Sequence, residues 1–159
     1  MRLSYSLGSL LTIEQVLDCA KILGKYSHDV VWIPETWGME NFSMLSMVSQ
    51  LVSSKIGSSI INVYSRSPTL VAMGAATIDT ISNGRLILGL GTSSEPIVKD
   101  WHGQKFEQPV SRLKEYIEIV RLVLPGKKVD FNGKFFSLKN FSLLIKPPRK
   151  HIPIYLAAI

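Results

Sequence analysis

Two hydrophobic periodicities alternate along the chain from its start, and that alternation limits the possible folds more than any other feature. Residues 2–7 read as a strand. Thr12 and Gln15 form a capping-box pattern, after which Ile13, Val16, Leu17 and Ala20 keep helical spacing to about Gly24. Residues 30–33 are a short apolar strand stopped by Pro34, followed by a helix over about 41–53 with Leu45, Val48 and Val52 on one face. Residues 56–63 read as a third strand. Ser67-Pro68 fits an N-cap followed by proline at the first helical position, and the Ala-rich helix after it ends at Asn83-Gly84. Residues 85–90 form a fourth strand. Pro109 opens a helix with Val110, Leu113, Ile117, Val120 and Leu124 as its inner face, and Pro125-Gly126 closes it. Residues 129–136 carry Asn132-Gly133 between apolar flanks, the signal of a two-residue hairpin, and residues 152–157 are a last strand.

Strands alternating with helices require parallel pairing through right-handed crossovers, and near-continuous apolar strands require helices over the sheet. Two α/β architectures meet these demands, an open doubly wound sheet and part of a (β/α)8 barrel. Strands begin near residues 2, 30, 56, 85 and 152, and the sequence ends in the apolar run Leu156-Ala157-Ala158-Ile159 with no helix or charged tail after it. The expectation is therefore that residues 1–159 are a single domain comprising about the first five strands of a TIM-type barrel cut after strand five. A whole barrel takes about 250 residues.

Composition excludes several function classes. With 46% hydrophobic and 19% charged residues the chain can bury a core. The lone Cys19 allows no intrachain disulfide and reads as a small buried residue in a helix. No uncharged stretch reaches the roughly 18 residues that span a bilayer, and the start lacks a leader pattern, so a cytoplasmic protein with no membrane partner is expected. The net charge is +6, yet residues 121–150 alone carry +7 and the remainder −1. That segment lacks the aromatic interleaving of a single-strand binder and any groove-reading helix, so no nucleic acid is expected.

In either architecture ligands meet the carboxyl ends of the strands. Those ends carry Ser6 and Gly8, then Glu35, Thr36 and Trp37, then Asn62, Tyr64 and Arg66, then Gly91, Thr92, Ser93 and Ser94. Gly89-Leu90-Gly91 supplies the first two glycines of a dinucleotide fingerprint, but Ser94 stands at the third and no Lys-Ser/Thr pair follows, so both phosphate-loop motifs fail. What remains is a tight glycine turn trailed by hydroxyls, which suits a ring edge or carbonyl and serves equally as a plain strand-end turn. Glu35 is the only carboxylate on a strand end. Partial burial against Trp37 would make it a proton donor or a hydrogen-bond acceptor; as a loop acid it would instead cap the second helix. Trp101, in the long loop after strand four, would line the mouth or anchor a lid. His28, His102 and His151 have no ligand spacing, so no metal site is expected.

Several motifs in order carry a resemblance that covers essentially the whole chain: Asn62-Val63-Tyr64-Ser65-Arg66-Ser67-Pro68, Ala72-Met73-Gly74-Ala75-Ala76-Thr77-Ile78-Asp79, Ser82-Asn83-Gly84-Arg85 and Leu88-Gly89-Leu90-Gly91. Arg112-Leu113-Lys114-Glu115-Tyr116, Gly133-Lys134 with Phe136, and Ile152-Pro153-Ile154-Tyr155-Leu156-Ala157-Ala158 follow at matching spacing. The chain resembles the luciferase-like flavin- and deazaflavin-dependent oxidoreductases, in particular the coenzyme F420-dependent branch that includes methylene-tetrahydromethanopterin reductase. The resemblance implies a bulged third strand with a non-prolyl cis peptide at Ser59-Ile60 behind the cofactor ring. It further implies Ser59, Ile60 and Asn62 at the ring face, Gly91, Thr92 and Ser93 at the cofactor edge, and Glu35 as catalytic acid. Ser6, Trp37 and Trp101 then fall on the substrate side.

The chain departs from those reductases at two places. Ser6 stands where they have a strand-one glutamate, and Glu35-Thr36 where they have Asp-His, so their pterin substrate is not carried over. The expected activity is hydride transfer between coenzyme F420 and an unidentified small organic substrate. The alternatives are an FMN-dependent luciferase-like monooxygenase supplied by a separate flavin or F420 reductase, and an inactive half barrel. Exposed sheet edges also imply a homo-oligomer.

Overall fold

The computed structural model describes residues 3–8, 10–149 and 151–157. Arg2, Lys150, Ala158 and Ile159, on which parts of the strand, charge and motif expectations fall, lie outside the described residues. The sheet contains β1 (Ser4–Ser6), β2 (Val30–Ile33), β3 (Lys55–Ser58), β4 (Ile61–Asn62), β5 (Leu86–Gly91) and β8 (Ile154–Leu156), all paired in parallel. β1 pairs with β2, β2 with β3, β3 and β4 with β5, and β5 with β8. Neighbours thus follow chain order with no reversal. A doubly wound sheet would place its first strand in the middle, so that alternative is corrected in favour of the barrel winding.

The third strand is broken where periodicity predicts a continuous run. β3 and β4 flank a cis peptide at Ser59-Ile60, the bond the resemblance pointed to. Gly57 pairs with Ile87 and Ile61 with Leu90, so four steps on one strand face three on the other, which makes a one-residue bulge. The buried Ser58 hydroxyl fills the bulge, donating to the Gly89 carbonyl at 2.9 Å and accepting from the Gly89 amide at 2.7 Å. Position 89 must be glycine, because a Cβ there would stand 1.9 Å from the Ser58 carbonyl oxygen.

The helices form where caps and periodicity place them. α1 (Ile13–Leu23) starts on the Thr12/Gln15 capping box. α2 (Asn41–Ser49) is capped by Glu40, whose carboxylate accepts the Phe42 and Ser43 amides at 3.1 and 2.7 Å. It ends earlier than expected because Arg85 draws the Ser49, Val52 and Ser54 carbonyls out of the helical path, at 2.7, 2.6 and 2.8 Å. In α3 (Pro68–Ile81) Ser67 accepts the Leu70 amide, and Asn83 and Gly84 at φ 53° and 77° turn the chain into β5. α4 (Pro109–Val123) buries Tyr116, Ile119, Val120 and Val123, while Val110, expected inside, is 65% exposed. The stripe is rotated because the Tyr116 hydroxyl reaches the carbonyls of Arg66 and Ser67, both at 3.2 Å.

The hairpin forms from β6 (Val129–Asn132) and β7 (Ser137–Phe141), but its loop has four residues, Gly133 to Phe136, rather than two. The Glu115 carboxylate of α4 accepts the amides of Lys134, Phe135 and Phe136, so the loop wraps a side chain that local sequence does not reveal. The core is one cluster between the sheet and its helices, and no helix among the described residues is long and apolar enough to cross a membrane.

Candidate functional site

Parallel strands deliver their carboxyl ends to one rim, and the expected site residues divide there between two cavities. The inner one, about 290 Å³, is lined by Ser6, Trp32, Ser59, Ile60 and Tyr155 among others. The outer one, about 270 Å³, lies at the ends of β2, β4 and β5 and includes Glu35, Thr36, Trp37, Asn62, Arg66 and His102 in its lining. Ile60 lines the first and Asn62 the second, so the bulged segment forms the wall between them. Trp37 and Trp101 meet edge to face, with ring centres 5.2 Å apart at 88°. Trp101 ends a π-helical turn, Ile97–Trp101, which carries His102 into the outer cavity.

Arg66 organises the outer cavity. Its guanidinium donates to both oxygens of Glu35 at 2.7 and 2.5 Å and to Glu40 at 2.5 Å, and it lies over the Phe42 ring at 5.4 Å. Glu35 also accepts the Asn41 amide at 3.0 Å. The expected burial of Glu35 against Trp37 is therefore corrected: Trp37 is 69% exposed, and the acid is covered by a guanidinium and a helix end. Both carboxylate oxygens are occupied as acceptors. Glu40 is pulled in two directions. Burial raises its pKa, but the Ser43 hydroxyl and amide, the Phe42 amide and Arg66 together outweigh that and hold it below its ordinary value.

Two buried polar atoms lining this cavity have no partner among the described residues, Thr36 Oγ1 and Asn62 Nδ2. Asn62 is 5% exposed, and its Oδ1 accepts the Tyr64 amide at 2.9 Å, which leaves the Nδ2 donors as the unmatched end of its amide. A buried donor without an acceptor costs about 1–3 kcal/mol, so its retention points to a ligand that supplies the acceptor. Among the hydroxyl-rich residues of the turn after β5, Ser93, at φ 59°, lines the outer cavity. Gly91 lies beneath Ile60, whose Cδ1 would stand 3.0 Å from a Cβ at that position, and the Thr92 hydroxyl points along the chain to the Ser93 carbonyl.

Arg66 and Thr36 fall on the rim by sequence alone, without a role; Glu40 does not, and His102, which lacks ligand spacing in the sequence, reaches the rim only in the fold. The available signal was charge complementarity between successive strand ends: a lone arginine after strand three beside acids at 35 and 40. Among the described residues no cluster of three or more metal-ligating side chains occurs.

A family model described as luciferase-like monooxygenase matches residues 2–159. The chain belongs to the luciferase-like monooxygenase family. It is 43% identical over 143 residues to a Mycobacterium tuberculosis protein provisionally named a coenzyme F420-dependent oxidoreductase, a match spanning 82% of this chain and 41% of that one. It is 34% identical over 132 residues to a 5,10-methylenetetrahydromethanopterin reductase of Archaeoglobus fulgidus, spanning 82% of this chain and 39% of the relative. The chain thus covers less than half the length of these curated relatives. The coenzyme F420-dependent tetrahydromethanopterin reductase of Methanopyrus kandleri superposes with a TM-score of 0.88 at 23% identity, over 99% of this chain and 50% of that one, which shows the shared fold. The parallel strands of this chain thus correspond to about half of that barrel fold.

Proposed function

We propose that the protein transfers a hydride between coenzyme F420 and a small organic substrate. The observation that carries this reading is the unpartnered Asn62 Nδ2, buried at the bulge and next to the Ser59-Ile60 peptide. The ring carbonyls of a deazaflavin supply the acceptor that this donor lacks, and the bulge offers a flat backbone wall for the ring, so the residues fit the group. When bound, the coenzyme supplies a carbon centre that gives or takes hydride. The chain's own work is placement: Ser59, Ile60 and Asn62 hold the ring, Ser93 borders its edge with Gly91 and Thr92 in support, and Ser6 lies on the inner side. Glu35 serves as an acceptor that locks Arg66 in the substrate wall rather than as a proton donor, since both its oxygens are taken. Trp37 and Trp101 flank the substrate and exclude water. The relative named for F420 at 43% identity supports the choice of cofactor.

The second reading is an FMN-dependent monooxygenase, favoured by the family description and by a structurally similar Baeyer-Villiger monooxygenase solved with FMN. Anaerobic absorbance titration separates them. F420 binding with a perturbed deazaflavin band is expected, and tight FMN binding with no F420 binding would overturn the proposal.

A further inference from the structure

The lining of the outer cavity specifies the charge of what it binds. Its one guanidinium, Arg66, is neutralised in place by Glu35 and Glu40, to which both of its Nη atoms donate. Two carboxylates against one guanidinium leave a surplus negative charge, and Glu40, whose side chain is 47% exposed, stands at the rim. With Asn62 Nδ2 given to the cofactor ring, the unpartnered Thr36 Oγ1 is the hydroxyl left to meet an uncharged partner. Met39, Ile97 and Trp37, the last backed by Trp101, provide apolar and aromatic walls.

We propose that this cavity is a subsite for an organic molecule that is either cationic or uncharged with an acceptor oxygen or nitrogen, and that Glu40 excludes carboxylates and phosphates from it. The proposal rests on reading the cavity as the substrate side of the oxidoreductase, although its test does not require turnover. A like charge at contact distance near a protein surface weakens binding by roughly five-fold or more at low salt, so the selection is measurable.

Two measurements test it. Tryptophan fluorescence reports binding of three matched probes, benzamide, benzylammonium and benzoate. Benzamide and benzylammonium are expected to bind at least about five-fold more tightly than benzoate. The variant Glu40→Ser keeps a capping hydroxyl for α2 while removing the charge, and should narrow that gap several-fold. Benzoate binding as tightly as benzamide, no binding of the two favoured probes, or a gap unchanged in Glu40→Ser would each overturn the subsite.

The second measurement uses ionic quenchers, each normalised to free N-acetyltryptophanamide. Caesium should quench the wild-type protein more than iodide does, by about three-fold at low salt, against the bias expected from a net charge of +6. Iodide quenching equal to or above that of caesium counts against the proposal. A wild-type protein that binds neither F420 nor FMN yet ranks the probes as expected would sink the functional reading and leave the subsite standing; the reverse result would sink the subsite alone.

Discussion

The two ends of the sheet are each organised around arginines, with opposite outcomes. At the amino ends of the strands, Asp79 is fully buried and accepts from the Arg149 guanidinium and, at 3.2 Å, from the Leu86 amide, while Arg149 also donates to the Leu86 carbonyl at 2.6 Å. Beside it Arg85 donates to four carbonyls, those of Ser49, Val52, Ser54 and Ser82. At the carboxyl ends, Arg66 is equally engaged, but Asn62 and Thr36 next to it keep polar atoms with no partner. The contrast matches the two jobs of a barrel: a closed network at one end holds the fold, and the incomplete one at the other is where the proposed ligand would bind.

The largest effect that would sharpen this contrast is Asp79→Ala. It strands the Arg149 charge and the Leu86 amide, and stability measured by urea unfolding should fall by about 3 kcal/mol. A loss below about 1 kcal/mol would break the claim that the amino end carries stability. Next comes Arg85→Lys, which keeps the charge but cannot fork to four carbonyls. A loss of about 2 kcal/mol in the same assay is expected, because lysine offers a point charge where the site needs a planar donor set.

The legibility of these two ends in sequence also differs. Caps are local, so Thr12 with Gln15, Ser67 with Pro68 and Asn83 with Gly84 could be read from neighbouring residues. The same holds for β2, whose apolar run is bounded by Pro34. The break in the third strand has no local signature: it depends on Gly89, 31 residues on, whose peptide groups bond the Ser58 hydroxyl. Periodicity therefore predicted one strand, and only the family resemblance located Ser59-Ile60. The hairpin loop was misjudged for a similar reason, since Glu115 on α4 shapes it from outside. Glu35 was identified as a rim acid, but its partner Arg66 lies 31 residues away, and pairing at that distance is written in the fold rather than in the motif.

Asn62→Ala tests the mouth in the opposite sense to Asp79→Ala. It removes a donor that has no partner, so stability should change by about 1 kcal/mol or less, the lost contact to the Tyr64 amide being partly offset. Affinity for the cofactor, read by absorbance titration, should fall about ten-fold, the equivalent of one hydrogen bond to a ring acceptor. A large stability loss with unchanged affinity would place Asn62 in the closed network and erase the distinction between the two ends.

The smallest effect concerns pH. Glu40 is held below its ordinary pKa of 4.5 because its bonds to the Ser43 and Phe42 groups and to Arg66 outweigh the burial that opposes them. A carboxyl whose folded pKa is depressed binds protons more readily when unfolded, so its contribution is complete above the unfolded value and lost as pH falls through the folded one. The wild-type protein should therefore lose stability below about pH 4.5 more steeply than Glu40→Ser, whose hydroxyl caps the helix at any pH. The group is largely exposed, so the difference should be about 0.5 kcal/mol or less, visible only by comparing urea midpoints of the two proteins across pH 3–6. Parallel curves would mean that the rim carboxylate is free of its bonds in solution, and the surplus charge assigned to the mouth would then no longer be held at the entrance to the cavity.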